Sequence, residues 1–141
     1  MSIAEQFAQA EMVTTETMAN DANAVIERIQ MKDLTEAELE QLPFGAIQLD
    51  TAGRILRYNG FESKLSGIHR NRALGKHFFT ELAPCTNVKE FYGRFQEGVA
   101  RKRMHEKFRY HFSFKKNPID VTITLFYSDL TDSIWVFARP V

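Results

Sequence analysis

The stretch Phe108-Arg109-Tyr110-His111-Phe112-Ser113-Phe114, followed by Ile119-Asp120-Val121-Thr122-Ile123-Thr124-Leu125-Phe126-Tyr127 and then Ile134-Trp135-Val136-Phe137-Ala138, decides the fold. Phe108, Tyr110, Phe112 and Phe114 alternate with Lys107, Arg109, His111 and Ser113. A period of two puts apolar side chains on one face and solvated ones on the other, which is the pattern of a half-buried strand. After a turn at Lys115 to Pro118 the period returns in Ile119, Val121, Ile123, Leu125 and Tyr127. It returns again in Ile134, Val136 and Ala138 after a turn at Ser128 to Asp132. Three strands joined by short turns predict an antiparallel sheet.

Upstream of these strands the period lengthens. Val88, Phe91, Tyr92, Phe95 and Val99 form the apolar stripe of one longer helix, with Thr86 or Asn87 as its cap. A short turn runs through Phe78, Phe79 and Leu82 to Pro84. Asn59 is placed to cap a short helix that carries Glu62 at its third position and ends at Gly67. Ala46 to Leu49 and Arg54 to Tyr58 read as two more strands around the turn Asp50-Thr51-Ala52-Gly53. The prediction is an α+β domain, residues 43–141, with a five-stranded antiparallel sheet, short helices and one longer connecting helix. Its element order resembles the PAS architecture.

Residues 1–42 read as an N-terminal helical cap. Met18, Ala22, Val25 and Ile29 make a short amphipathic stripe, and Ile3 with Phe7 hints at an earlier one. Thr35 and Glu38 form a T-x-x-E capping box for a helix through Leu39 and Leu42 that Pro43 closes. The formal net charge is zero, yet residues 1–42 hold nine carboxylates against Arg28 and Lys32, so this segment carries −7 and the rest +7. Such an asymmetry invites electrostatic docking of the segment on the body, worth about 0 to 1 kcal/mol per exposed pair. A merely solvated acidic tail fits the same charges.

With 141 residues, 44% of them hydrophobic, the chain suits one domain with one core, too small for a sensor joined to a catalytic effector. No stretch approaches the roughly 18 apolar residues of a membrane span, no secretory leader is evident, and the one cysteine rules out an internal disulfide framework. A cytoplasmic protein is expected, with no membrane or nucleic-acid partner; the basic run Arg101, Lys102, Arg103 with Lys107 and Arg109 reads as solvated surface. His69, His77, His105 and His111 lack metal-ligand spacing, and no phosphate loop or nucleophile elbow is present.

Cys85 follows Pro84 just ahead of the predicted helix start, where free amides and the helix dipole favour a thiolate. A buried, inert cysteine fits as well. Tyr58 and Glu62 lie four residues apart across a strand-to-helix junction and could converge on one acceptor. Alternatively, Glu62 completes a capping box with Asn59 and Tyr58 is a strand aromatic.

Taken together, Phe44-Gly45-Ala46-Ile47-Gln48-Leu49-Asp50, Tyr58-Asn59, Ala83-Pro84-Cys85-Thr86, Glu90-Phe91-Tyr92-Gly93 and Trp135-Val136-Phe137 resemble the photoactive yellow protein family. The likeness runs from about Phe44 to Val141 and is much weaker over residues 1–42. It implies a blue-light photoreceptor, not an enzyme, with p-coumaric acid (4-hydroxycinnamic acid) held as a thioester on Cys85. Tyr58 and Glu62 would donate hydrogen bonds to the phenolate, and Ser66, where the family typically has threonine, would support Tyr58. The implied cycle is photoisomerisation, proton transfer from Glu62 and partial unfolding of the N-terminal cap, read by a downstream signalling protein. A monomer or weak dimer is expected.

Three positions depart from the family pattern. Ile68 stands where the arginine lid is expected, leaving His69 or Arg70 to supply a cation. Without one, the bound phenol should protonate at a less acidic pH, which a titration of the visible band would measure. Phe114 replaces a sheet-side tyrosine. Lys116 replaces a loop methionine, so slower dark recovery than in Lys116→Met is expected. The rival readings are a PAS module with another ligand or none, and a cysteine-dependent enzyme. The second needs a general base near Cys85, and the spacing assigns none. Haem binding would need an axial ligand, for which His69 and His77 lack a supporting pattern.

Overall fold

The computed structural model describes residues 22–114 and 117–141. Five strands, β1 (Gly45–Leu49), β2 (Ile55–Tyr58), β3 (His105–Phe112), β4 (Ile119–Ser128) and β5 (Ser133–Pro140), form one sheet in the order β2-β1-β5-β4-β3. All four neighbouring pairs are antiparallel. Ile47 of β1 stands opposite Tyr58 of β2 and Val136 of β5, and Tyr110 of β3 stands opposite Val121 of β4. The sheet and its registers follow from the alternation that defined the strands.

That alternation also sorts the side chains into two cores. Ile134, Val136 and Ala138 join Ile47, Leu49, Tyr58, Val121, Ile123 and Leu125 on one face, against Phe78, Phe79, Phe91 and Phe95. Trp135 and Phe137 point the other way and pack with Phe44, Ala46 and Phe126 against Val25, Ile26, Ile29, Leu34, Leu39 and Leu42. With both faces covered, every residue of the interior strand β1 is buried.

The described part of the N-terminal segment is helix α1 (Ala22–Met31) and helix α2 (Glu36–Gln41). Val25 and Ile29 of the expected stripe are fully buried. Met18, Ile3 and Phe7 lie outside the described residues. Both halves of the Thr35–Glu38 capping box form. Acidic residues of this segment pair with the body: Arg57 meets Asp33 at 2.8 Å and Glu36 at 3.5 Å, and Arg70 pairs with Glu40. Charge is nevertheless the smaller part of the attachment. Six buried aliphatic side chains, each worth about 1.5 to 3 kcal/mol when fully buried, outweigh three partly exposed ion pairs.

Between β2 and β3 run helix α3 (Gly60–Ser66), helix α4 (Arg70–Ala73) and two wide turns. In the first wide turn, Phe78–Leu82, the amides of Leu82 and Ala83 reach back five residues to the carbonyls of His77 and Phe78. The second, Lys89–Gly93, leads into helix α5 (Arg94–Arg101). The helix after Cys85 therefore starts differently from the expectation. Thr86 points inward, its hydroxyl donating to the Ala83 carbonyl at 2.6 Å, and neither Thr86 nor Asn87 caps the helix. Val88 flanks it without a side-chain cap and is 41% exposed, so it leaves the stripe that Phe91 and Phe95 bury.

Candidate functional site

The junction of β2 and α3 builds one side of the site. Asn59 has an extended backbone and caps α3, its Oδ1 accepting from the amides of Glu62 (2.9 Å) and Ala46 (3.0 Å). Its Nδ2 donates to the carbonyls of Leu39 and Phe44, each at 3.1 Å. One fully buried side chain thus ties α3, β1 and the N-terminal segment together. Glu62 does not return the capping bond: Asn59's own amide donates to Ala46 instead. The capping-box reading of Glu62 is excluded.

The Glu62 carboxyl turns into the protein. The residue is 1% exposed, and Oε2 has no hydrogen-bond partner among the described residues. It lies over Gly45, where a Cβ would overlap Oε2. A glycine in a strand often marks such a close approach, and Gly45 opens β1. Burial alone pushes the Glu62 carboxyl up to about 8, so at neutral pH it is predominantly a neutral acid with a proton to give. Tyr58 is buried beside it, its hydroxyl 2.5 Å from Ser66 Oγ. Burial and then the negative field of Glu62 raise the phenol, against the opposing effect of the Ser66 hydrogen bond. Tyr58 therefore remains a hydrogen-bond donor.

The other side is Cys85, half-buried in the tight turn Pro84–Thr86. It lies ahead of the helical segment that opens at Lys89, so the amides of a helix N-terminus are not at hand as expected. A pocket of about 460 Å³ separates the two sides. Cys85, Pro84, Ala83, Leu82, Ile68 and Phe114 give it apolar walls, and Ser66 brings the single hydroxyl of the Tyr58 pair to its lining. Tyr58, bonded to Ser66, and the buried Glu62 do not themselves line it. The sequence-derived residues Cys85, Ser66, Ile68 and Phe114 are thus gathered at one cavity, with Tyr58 and Glu62 outside its lining. Lys116 lies outside the described residues.

The two cations offered as substitutes for an arginine at position 68 are engaged elsewhere. Arg70 donates to the Tyr58 carbonyl at 2.8 Å and pairs with Glu40. The His69 Nδ1 accepts from the Asn71 amide at 3.1 Å. The cation that does line the pocket is Arg72 of α4, which forms no side-chain hydrogen bond or ion pair with a described residue. Sequence spacing did not mark it, because its approach depends on how α4 folds over the cavity.

Tyr110 was likewise read only as a strand aromatic. Its hydroxyl donates to the Cys85 carbonyl, pinning the turn, and its ring packs 5.1 Å from that of Phe91. Burial, then the charges of Cys85 and Glu90, raise its phenol and keep it a donor. Phe114 stacks on Phe112 at 4.9 Å, which sets the pocket wall at the end of β3. Asn117 donates to the Leu65 carbonyl at 2.7 Å and ties the β3–β4 connection to α3 beside Ser66.

Comparison with known proteins identifies the fold and the family. The PAS fold model matches residues 33–141. The chain is 41% identical to the photoactive yellow protein of Rhodothalassium salexigens, over 79% of this chain and 89% of that protein. It is 38% identical to the photoactive yellow protein of Halochromatium salexigens, over 77% and 87% respectively. It is also similar to the crystal structure of the photoactive yellow protein domain from a sensor histidine kinase of Rhodospirillum centenum. There the TM-score is 0.74 and the identity 42%, covering 79% of this chain and 98% of that one. Within the PAS fold, the chain belongs to the photoactive yellow protein family.

Proposed function

We propose that the chain is a blue-light photoreceptor that carries a p-coumaroyl group as a thioester on Cys85. The observation that carries this reading is the Glu62 carboxyl: buried, pushed up by that burial toward its neutral form, with no partner for Oε2 among the described residues, and near a buried tyrosine that keeps its proton and can donate it. Orphaned buried polar atoms are rare because each costs about 1 to 3 kcal/mol, and a ligand oxygen is a common remedy. The donor set fits an anionic oxygen, and the apolar pocket of about 460 Å³ suits a flat aromatic acyl group attached at Cys85.

When bound, the group supplies visible absorption and a double bond that light isomerises. The chain's residues do the rest. Tyr58 and Glu62 do not line the pocket, so the acyl group would have to reach past Ser66 for them to donate to its phenolate oxygen in the dark, with Ser66 then supporting the Tyr58 hydroxyl. Phe114, Ile68 and Leu82 exclude water, which strengthens each of these bonds. Glu62 releases its proton toward that oxygen after light absorption. It is then a buried carboxylate paired to no cation among the described residues, a penalty of several kcal/mol set against a total stability of about 5 to 15 kcal/mol.

The connections of Asn59 offer the route by which that penalty reaches the N-terminal segment. Asn59 holds the amide of Glu62 at one end and the carbonyl of Leu39 in α2 at the other. Shifting α3 to hydrate Glu62 strains the Asn59, Glu40–Gly60 and Glu40–Arg70 links that hold α2. Release of the N-terminal helices is the signal that a downstream protein would read. Purified apoprotein mixed with an activated p-coumaric acid derivative should gain a visible band that blue light bleaches and darkness restores, absent in Cys85→Ala. Acylation of Cys85 without a light-reversible band would refute the reading.

A further inference from the structure

A thioester cannot form in useful yield from a free carboxylic acid and a thiol in water, so acylation of Cys85 requires an activated acyl donor with its own leaving group. Next to the pocket beside Cys85 lies a second groove of about 730 Å³. Ile68, Arg72 and Leu82 line both, so the two adjoin along a shared wall. The two halves differ in chemistry. The inner part is apolar and reaches Cys85, whereas the outer part is lined by Asn71, Arg72, Lys76 and Glu81.

The outer groove is net positive even with its carboxylate counted. Glu81 is held below the ordinary carboxylate range first by the His77 amide and then by Lys76 and Arg54, and among the lining residues Arg72 and Lys76 outnumber it two to one. Arg54 reaches Glu81 at 3.4 Å, while Arg72 has no partner among the described residues. All of these side chains are exposed, so they recognise a ligand by long-range attraction and by hydrogen bonds at the groove rather than by a closed cage.

We infer that the groove lined by Asn71, Arg72 and Lys76 is a docking site for the phosphorylated leaving group of the thioester that delivers the acyl chain to Cys85. The inference rests on Cys85 being the acylated residue. The Cys85 Sγ, as thiolate, adds to the donor's carbonyl carbon, and the new C–S bond forms as the bond to the donor's sulfur breaks. The departing thiolate takes up a proton equivalent to the one Cys85 lost, so no oxidant or reductant is consumed. Arg72, at the junction of the two halves, places the donor so that its acyl end enters the apolar part.

The test is the rate of Cys85 acylation in the full-chain apoprotein, read by mass spectrometry so that it does not depend on photochemistry. Two donors are compared: p-coumaroyl-coenzyme A, and the uncharged p-coumaroyl thioester of N-acetylcysteamine. In Arg72→Glu and in Lys76→Glu, the ratio of the rate with the phosphorylated donor to that with the neutral donor should fall about 10-fold. Raising the salt concentration should lower the same ratio in the wild type. A ratio unchanged by both substitutions and by salt would overturn the docking site while leaving the Cys85 assignment intact. Failure of both donors to acylate Cys85 would overturn both.

Discussion

Replacing Glu62 by glutamine in the apoprotein should change how stability depends on pH. The Glu62 carboxyl is pushed up to about 8 by burial, from an ordinary 4.5. Between those values the folded chain keeps a proton on Glu62 that the unfolded chain has released. Raising the pH therefore favours unfolding, by up to about 1.4 kcal/mol per pH unit. The contribution is fully present below pH 4.5 and lost as the pH rises through about 8, a total on the order of 5 kcal/mol. Glutamine keeps the shape and has no proton to lose. Urea unfolding of wild type and Glu62→Gln across this range isolates the residue, because every other titrating group is common to both. The wild type should lose several kcal/mol relative to the variant on going from acid to pH 8, and the two curves should run parallel above that. Parallel curves throughout would show that Glu62 is ionised or solvated at neutral pH, and the proton-donor assignment would fall.

Other perturbations probe the supports of the site. Asn59→Ala leaves two amides and two carbonyls without their buried partner and should cost about 3 kcal/mol or more in chemical unfolding; a loss under 1 kcal/mol would mean these bonds are readily replaced. Gly45→Ala should force the Glu62 carboxyl aside, destabilising the protein by about 1 to 3 kcal/mol and flattening its pH dependence. A wild-type titration in that variant would contradict the position of the carboxyl. Arg57→Ala removes contacts to Asp33, Glu36 and the Leu34 carbonyl, so amide exchange should quicken selectively in α1 and α2; a uniform increase over the sheet would refute a local role in holding the N-terminal helices.

The parts of this protein legible in its sequence are those governed by local rules. Alternation over Phe108–Phe114 and Ile119–Tyr127 marked strands because the period of two is a direct image of the pleat. Thr35 with Glu38 and Asn59 with Glu62 announced helix starts because the capping bonds span only three residues. What escaped were features set by approach in space. The wide turn at Phe78–Leu82 is invisible because its apolar pairs serve a helix or an irregular segment equally well. Thr86 looked like a cap but is drawn inward by the Ala83 carbonyl. Tyr110 and Arg72 become site residues only once β3 and α4 close on the Cys85 turn. Gly45 left the one clue that could have been followed, a glycine opening a buried strand, pointing to a close neighbour that proves to be Glu62.

The central claim is that a neutral, buried Glu62 gives up its proton when the chain responds to light. A light-minus-dark infrared difference spectrum of the loaded protein tests it most directly. The account predicts loss of the C=O stretch of a protonated carboxyl and gain of a carboxylate band, both absent in Glu62→Gln. A photocycle in which the wild type shows neither change, or in which Glu62→Gln shows both, would contradict it.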